Sequence, residues 1–155
     1  MNAGRRHLFA AVCAALLAAG SMLASGGVAA QSAAGKDARL TVVYWSAKDC
    51  RWCTWWEGKV LGSGGEAAFL ASPEGKAVRY ETVKKTFLSV PYGAHDFRPE
   101  QRWLWNQLES GRHRRIAGYP SFSLFDGEEL VVYAVGQDGF KDELLPKLRE
   151  RIGKR

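Results

Sequence analysis

Residues 40–56, LTVVYWSAKDCRWCTWW, decide how this chain is read. The opening residues are rich in Val, Tyr and Trp and predict a strand at 40–45. Their near-continuous apolar character predicts burial on both faces. Small and polar residues follow, and then two cysteines three positions apart, Cys50 and Cys53. A helix is expected over 50–61, with Asp49 as its N-cap or first-turn acid. A C-x-x-C between a strand and a helix reads as a redox dithiol. At a helix start two thiols so spaced come within bonding reach. The first lies near unsatisfied backbone N–H groups and the positive helix end, which favour the thiolate. Cys50 is therefore the expected nucleophile, and Cys53 the more buried thiol that resolves the mixed disulfide. Arg51 adds positive potential beside the sulfur, and Asp49 opposes it if its carboxylate faces the thiol. Trp52 is an expected apolar contact for a partner, or else a ring folded onto local surface. Of Trp55 and Trp56 at least one is expected in the core. Glu57, one turn past Cys53, is read as facing solvent, with proton acceptance the rarer role.

Upstream, Arg5, Arg6 and His7 make a basic start, and an alanine-rich apolar run follows to Leu23. Val28, Ala29 and Ala30 supply small residues before Gln31. This is the pattern of a cleaved secretory signal over 1–30. The run is short and alanine-diluted for a membrane span. Residues 31–39 are small and polar and read as a flexible tether. The rest, 40–152, is enough for one compact domain. Without Arg5 and Arg6 the chain keeps 20 basic against 16 acidic residues, a net charge of +4. That mild basicity is not a nucleic-acid signal, and the basic stretch 112–115 reads as a solvated loop. Two of the three cysteines survive cleavage. In an oxidising compartment the pair is either a local disulfide or held reduced by a partner.

Downstream, a second helical piece is expected at 66–71, ended by Ser72-Pro73-Glu74-Gly75. A second strand is expected at 77–84, spaced from the first as in a βαβ unit and so parallel to it. Residues 87–97 are irregular, and 99–110 predict a helix with Pro99 in its first turn. The whole segment 85–111 reads as an addition around this second helix. Pro120 precedes SFSLF, the third strand. Asp126-Gly127 predicts a tight turn into a fourth, antiparallel strand at 130–135. Gly136 to Gly139 read as a turn, and 140–152 as an amphipathic helix that Pro146 bends. The order βαβαββα implies an α/β fold, a mixed four-stranded sheet flanked by helices. No dinucleotide loop or phosphate-binding loop appears.

The strand, the Cys50-Arg51-Trp52-Cys53 helix start, Gly118-Tyr119-Pro120 and the closing ββα together resemble the thioredoxin superfamily. The resemblance covers residues 38–152, so a thioredoxin-like fold is expected. The exported form resembles the periplasmic thiol:disulfide interchange proteins of bacteria. The resemblance implies a cis Tyr119–Pro120 bond facing the dithiol, with residue 119 pairing to an extended substrate. Pro120 is thus an expected catalytic-site residue, and Arg51, Trp52 and Tyr119 are expected substrate contacts. Tyr119 departs from the small or β-branched residue common there. The first strand lacks the buried acid that many thioredoxins carry. The Arg-Trp dipeptide differs from the Gly-Pro of thioredoxins and the Pro-His of the strong periplasmic oxidant.

The function expected is an exported thiol-disulfide oxidoreductase that reduces or exchanges disulfides in periplasmic proteins. The reductase or interchange direction is favoured because periplasmic oxidants of this fold usually carry a large helical insertion. Expected partners are a periplasmic protein with a cysteine pair and a membrane protein as electron donor. A monomer is expected, with no nucleic acid, no cofactor and no metal; two thiolates fall short of the four ligands of structural zinc. The alternative is a non-catalytic binding module with a structural disulfide. A potential below about −300 mV without exchange favours that alternative.

Overall fold

The computed structural model describes residues 39–60 and 64–154. The expected signal at 1–30, and the expected tether apart from Arg39, lie outside the described residues.

Strand β1 spans Leu40–Ala47 and is buried at every position. It pairs in parallel with β2, Arg79–Lys85, and antiparallel with β3, Ser121–Asp126. β3 pairs antiparallel with β4, Glu129–Val135, so the four-stranded sheet runs β2-β1-β3-β4. This is the mixed sheet expected. The crossover from β1 to β2 holds α1, Arg51–Trp56, α2, Gly65–Ala71, and the single turn α3, Pro73–Lys76. Two 3-10 turns, Ala94–Asp96 and Pro99–Gln101, lead into α4, Arg102–Glu109.

Alternation along β1 divides the core, since successive strand side chains point to opposite faces. Leu40, Val42 and Tyr44 join the layer holding Cys50, Cys53, Trp56, Phe69, Phe140 and Leu144. Val43 and Trp45 join the α4 side, with Val83, Phe97, Leu104 and Phe125. Trp56 is the core member of the tryptophan pair. Its ring meets Phe122 at 4.7 Å and Phe140 at 4.8 Å between centroids, and its indole N–H donates to the Tyr80 hydroxyl. Edge-to-face rings of this kind add to the burial of large apolar surface.

Several boundaries differ from the sequence reading. The first helix stops at Trp56 rather than 61 because Gly58 takes φ +75°. Gly58 N–H bonds to Trp55 O and Lys59 N–H to Thr54 O, a left-handed glycine cap. Pro73 starts a short helix where a plain turn is expected, because Ser72 Oγ accepts from Gly75 N–H. The closing helix begins earlier than 140. It runs as α5, Gly136–Gly139, a π-helical stretch, Phe140–Leu144, and α6, Leu145–Gly153. The π stretch stands just ahead of Pro146, where the missing N–H and the ring disturb regular pairing.

The basic stretch 112–115 is not simply a solvated loop. His113 is 2% exposed, packed against Trp45, Phe125 and Tyr133. Its Nδ1 lies 2.5 Å from Arg114 O and its Nε2 2.6 Å from Ser123 Oγ, which also accepts from Trp45 Nε1–H at 2.7 Å. A carbonyl only accepts, so Nδ1 carries the proton and the Ser123 hydroxyl donates to Nε2. Every donor in this network is used while the imidazole stays neutral, and burial pulls its pKa below the usual value. In the unfolded chain the same group protonates near its ordinary pKa. Its contribution to stability is therefore complete above about pH 6.5 and is lost as pH falls towards the depressed folded value. Glu66, whose pKa burial raises, acts with opposite sign, so a variant comparison isolates the histidine. His113→Gln is expected to cost about 1–3 kcal/mol at pH 7.5. Its deficit should shrink by pH 5, read from urea midpoints at the two pH values.

Candidate functional site

β1 delivers its C-terminal end to the cysteines. Cys50 N–H bonds to Ala47 O, and Cys50 stands at the N-cap of α1. The cap is the cysteine itself, not Asp49: Cys50 Sγ accepts from Cys53 N–H at 3.1 Å. Asp49 instead accepts from Leu88 N–H at 2.9 Å, tying the loop after β2 to the residue before Cys50. Cys50 and Cys53 are joined as a disulfide, with Cα atoms 5.1 Å apart. Cys53 is fully buried, while Cys50 keeps 2% exposure. The sequence makes Cys53 the more buried thiol of the two, and the structure finds Cys50 nearly covered as well. The exposed groups are its neighbours. Trp52 is 62% exposed, with the Arg51 guanidinium 6.0 Å from its ring centroid. A backbone N–H aimed at Cys50 Sγ becomes a charge-assisted hydrogen bond when the sulfur is a thiolate, which favours that form.

Sequence reading sends Glu57 to solvent. Its side chain is only 8% exposed, and this is the largest departure at the site. Glu57 lies one helical turn past Cys53 and shares its inward face. Its carboxylate accepts from Ser46 Oγ at 3.0 Å, from Tyr44 OH at 3.2 Å and from Lys84 Nζ at 2.5 and 2.8 Å, with Lys59 completing the set. Tyr44 OH also lies 3.4 Å from Cys53 O. Burial by itself raises the Glu57 pKa. The hydrogen bonds from Lys59, Lys84 and Ser46 together outweigh it, and the carboxyl sits below its usual range. Burial likewise pushes the Tyr44 phenol far up, so that hydroxyl remains a donor. An ionised acid thus lies beside Cys53 at the end of α1, and none is supplied by β1. The signal was present as the four-residue spacing to a cysteine expected to be buried.

The Tyr119–Pro120 bond is cis. Ser121 pairs with Trp45 near the end of β1, so Pro120 and Cys50 stand at the same end of the sheet. Pro120 O accepts from Gly136 N–H at 2.8 Å, which fixes the turn against the end of β4. Tyr119 is half-buried, and burial pushes its phenol up to about 12. Lys85, unremarked in the sequence, lies 4.8 Å over the Tyr119 ring and 5.0 Å over Tyr92, with Nζ donating to Leu88 O and Val90 O. Burial lowers the pKa of this ammonium, against the pull of Asp96 and Asp49. Of the expected site residues, Cys50 and Cys53 are bonded together, Arg51 and Trp52 flank them in α1, and Tyr119 and Pro120 share their end of the sheet.

No protein-family model matches the sequence, and no curated protein matches it. Similar solved structures include the periplasmic thioredoxin SoxS from Paracoccus pantotrophus in its reduced form. It is 18% identical, with 74% of this chain and 96% of that chain covered and a TM-score of 0.45. DsbH oxidoreductase is also 18% identical, over 73% of this chain and 74% of that chain, with a TM-score of 0.43. A thioredoxin from Thermus thermophilus is 20% identical, over 74% of each chain, with a TM-score of 0.39.

The Glu57 cluster makes a checkable demand. Glu57→Gln leaves Lys84 half-buried without its counter-charge and should cost about 1–3 kcal/mol at pH 7. Because the folded pKa is lowered, this stabilisation is present above the unfolded value and is lost as pH falls through the folded one. The gap between wild type and variant in chemical denaturation should therefore be full at neutral pH and narrow as pH falls below the ordinary glutamate pKa, about 4.3.

On its own sheet order, with a disulfide at the first helix start and a cis proline at the same end, this chain has the thioredoxin-like α/β fold.

Proposed function

We propose that the chain is an exported thiol-disulfide oxidoreductase that uses Cys50 and Cys53 to reduce or exchange disulfides in periplasmic proteins. The observation that carries this reading is the Cys50–Cys53 disulfide with Cys53 N–H directed at Cys50 Sγ. In the reduced protein the Cys50 thiolate attacks one sulfur of a substrate disulfide. A mixed disulfide forms, the substrate S–S bond breaks, and the departing thiolate takes up a proton. Cys53 then loses its proton and attacks the Cys50 sulfur. The mixed bond breaks, the second substrate thiol is released, and two electrons have passed to the substrate. A dithiol donor must return them, and a membrane protein is the candidate.

The surroundings favour a protein substrate. Of the six exposed large hydrophobics among the described residues, Trp52 lies between the two cysteines, Phe87, Leu88 and Val90 lie in the loop after β2, Val135 ends β4, and Val60 follows α1. Leu88 is tied to Asp49, and a Cβ on Gly118 would meet Val135 within 2.6 Å, which sets Val135 against the turn before Pro120. Exposed apolar patches mark contact sites. Between β2 and β3 stand one eight-residue α-helix and two 3-10 turns rather than a large helical insertion, in keeping with the reductase or interchange direction. The chain acts as a monomer without metal or cofactor, after removal of a signal over 1–30.

One observation favours the second reading, a binding module with a structural disulfide: Cys50 is 2% exposed. Trapping separates the two. Cys53→Ala, expressed in the periplasm, should accumulate a mixed disulfide through Cys50 that a reductant releases. Cys50→Ala should fold and show no exchange. Absence of any adduct from a folded Cys53→Ala protein would leave only the structural reading.

A further inference from the structure

On the α4 side of the sheet, next to Tyr119, lies an open cleft of about 760 Å³ that the thiol chemistry does not use. Its walls are the loop after β2, the end of α4 and the connector before Pro120. These belong to the added segment 85–111 and to the basic stretch after it. Tyr92, Trp105, Leu108 and Ile116 line it with apolar surface, and Arg114 and Arg115 bring charge. The volume falls within the roughly 300–1,000 Å³ of sites that hold a ligand.

The cleft is joined to the dithiol end by two ties. Tyr119, the residue before Pro120, forms part of its wall, and so does Leu88, whose N–H is held by Asp49. Lys85 fastens these together, with its ammonium over the rings of Tyr92 and Tyr119 and bonded to Leu88 O and Val90 O. Tyr119 and Leu88 thus belong both to the wall of the cleft and to the dithiol end of the sheet.

Charge selects the occupant. Among the described residues no acid pairs with Arg112, Arg114 or Arg115, and Arg114 spreads over the Tyr133 ring at 5.4 Å. Glu109 is the acidic side chain of the lining. His113 adds no charge near neutrality, since both its nitrogens are engaged internally. We propose that this cleft is a specificity site for an acidic, apolar-anchored stretch beside the reactive cysteine of a partner protein. The proposal deepens the oxidoreductase reading and rests on it. The apolar anchor fills the Trp105–Ile116 side, and Asp or Glu of the same stretch meets Arg114 and Arg115. Such complementarity discriminates partners more than it adds raw affinity.

The test uses the reduced protein and three oxidants. One is a disulfide peptide with Phe and Glu beside a cysteine, the second has Lys in place of Glu, and the third is hydroxyethyl disulfide, which has no flanking residues. Wild type should show kcat/KM about tenfold higher on the acidic peptide at low salt, with the gap closing near 0.5 M salt. Arg114→Glu with Arg115→Glu should abolish or invert the preference. Ser89→Trp, on an exposed turn of the lining, should slow both peptides. Both variants should keep the wild-type rate on hydroxyethyl disulfide. Equal rates on the two peptides, or a preference that survives the double reversal, would overturn the proposal. A labelled acidic peptide without cysteine, followed by anisotropy, reads the cleft apart from the chemistry. Binding that the double variant removes supports the site even if hydroxyethyl disulfide is not exchanged, in which case the redox reading fails alone. No binding by the folded wild-type protein overturns the site.

Discussion

β1 is the strand on which everything else is hung. It has a partner on each side and a packed layer on each face, so none of its eight positions reaches solvent. A strand so enclosed has a single workable register, because a slip by one residue would exchange Val43 and Trp45 with Val42 and Tyr44 between the two layers. That register also sets the position of the loop and helix that β1 leads into. Ala47 O holds Cys50 N–H, and Trp45 paired with Ser121 brings Pro120 to the same end. Cys50, Cys53 and the cis turn are placed by that one strand.

Beneath the cysteines the structure keeps a charge where an apolar interior would not tolerate it alone. Glu57 is ionised because two lysines, a serine and a tyrosine surround it. Removing one partner from such a cluster costs more than the net worth of the contact, since the remaining charge is left unpaired. His113 on the opposite side of the sheet adopts the other solution. It stays neutral, with one nitrogen donating and the other accepting. Both sites make stability depend on pH, with the same sign but in separate windows, one set by an imidazole and the other by a carboxyl.

The loop after β2 joins the fold to the site. Lys85 is buried at the end of β2, and its ammonium closes the loop by bonding two carbonyls while lying against two tyrosine rings. Cation–π contacts gain strength as the cation is desolvated. One side chain thereby positions Tyr119, the Leu88 backbone and one wall of the cleft, so the surface around the dithiol and the cleft beside it form a continuous arrangement.

The linear pattern determined the elements whose cause is local. The apolar run at 40–45, the alternation at 77–84, the Asp126-Gly127 turn and the Cys-x-x-Cys step each state a short-range preference, and the sheet forms from them with boundaries shifted by a few residues. Gly58 was also legible, since a left-handed cap needs only a glycine, but the stronger glycine run at 62–65 masked it. What the tertiary structure decided was the fate of the polar side chains. Glu57 and the stretch around His113 read as solvated, Lys85 falls at the start of an added segment, and Asp49 reads as a cap or first-turn acid. Each gained at least one partner from elsewhere in the fold, Glu57 from Lys84 on β2, His113 from Ser123 on β3, Lys85 from the Tyr119 ring and Asp49 from Leu88 N–H. Local partners such as Lys59, Leu88 O and Arg114 O complete these sites, but the distant partners Lys84, Ser123 and Tyr119 complete the burial, and they lie outside any window around the buried group.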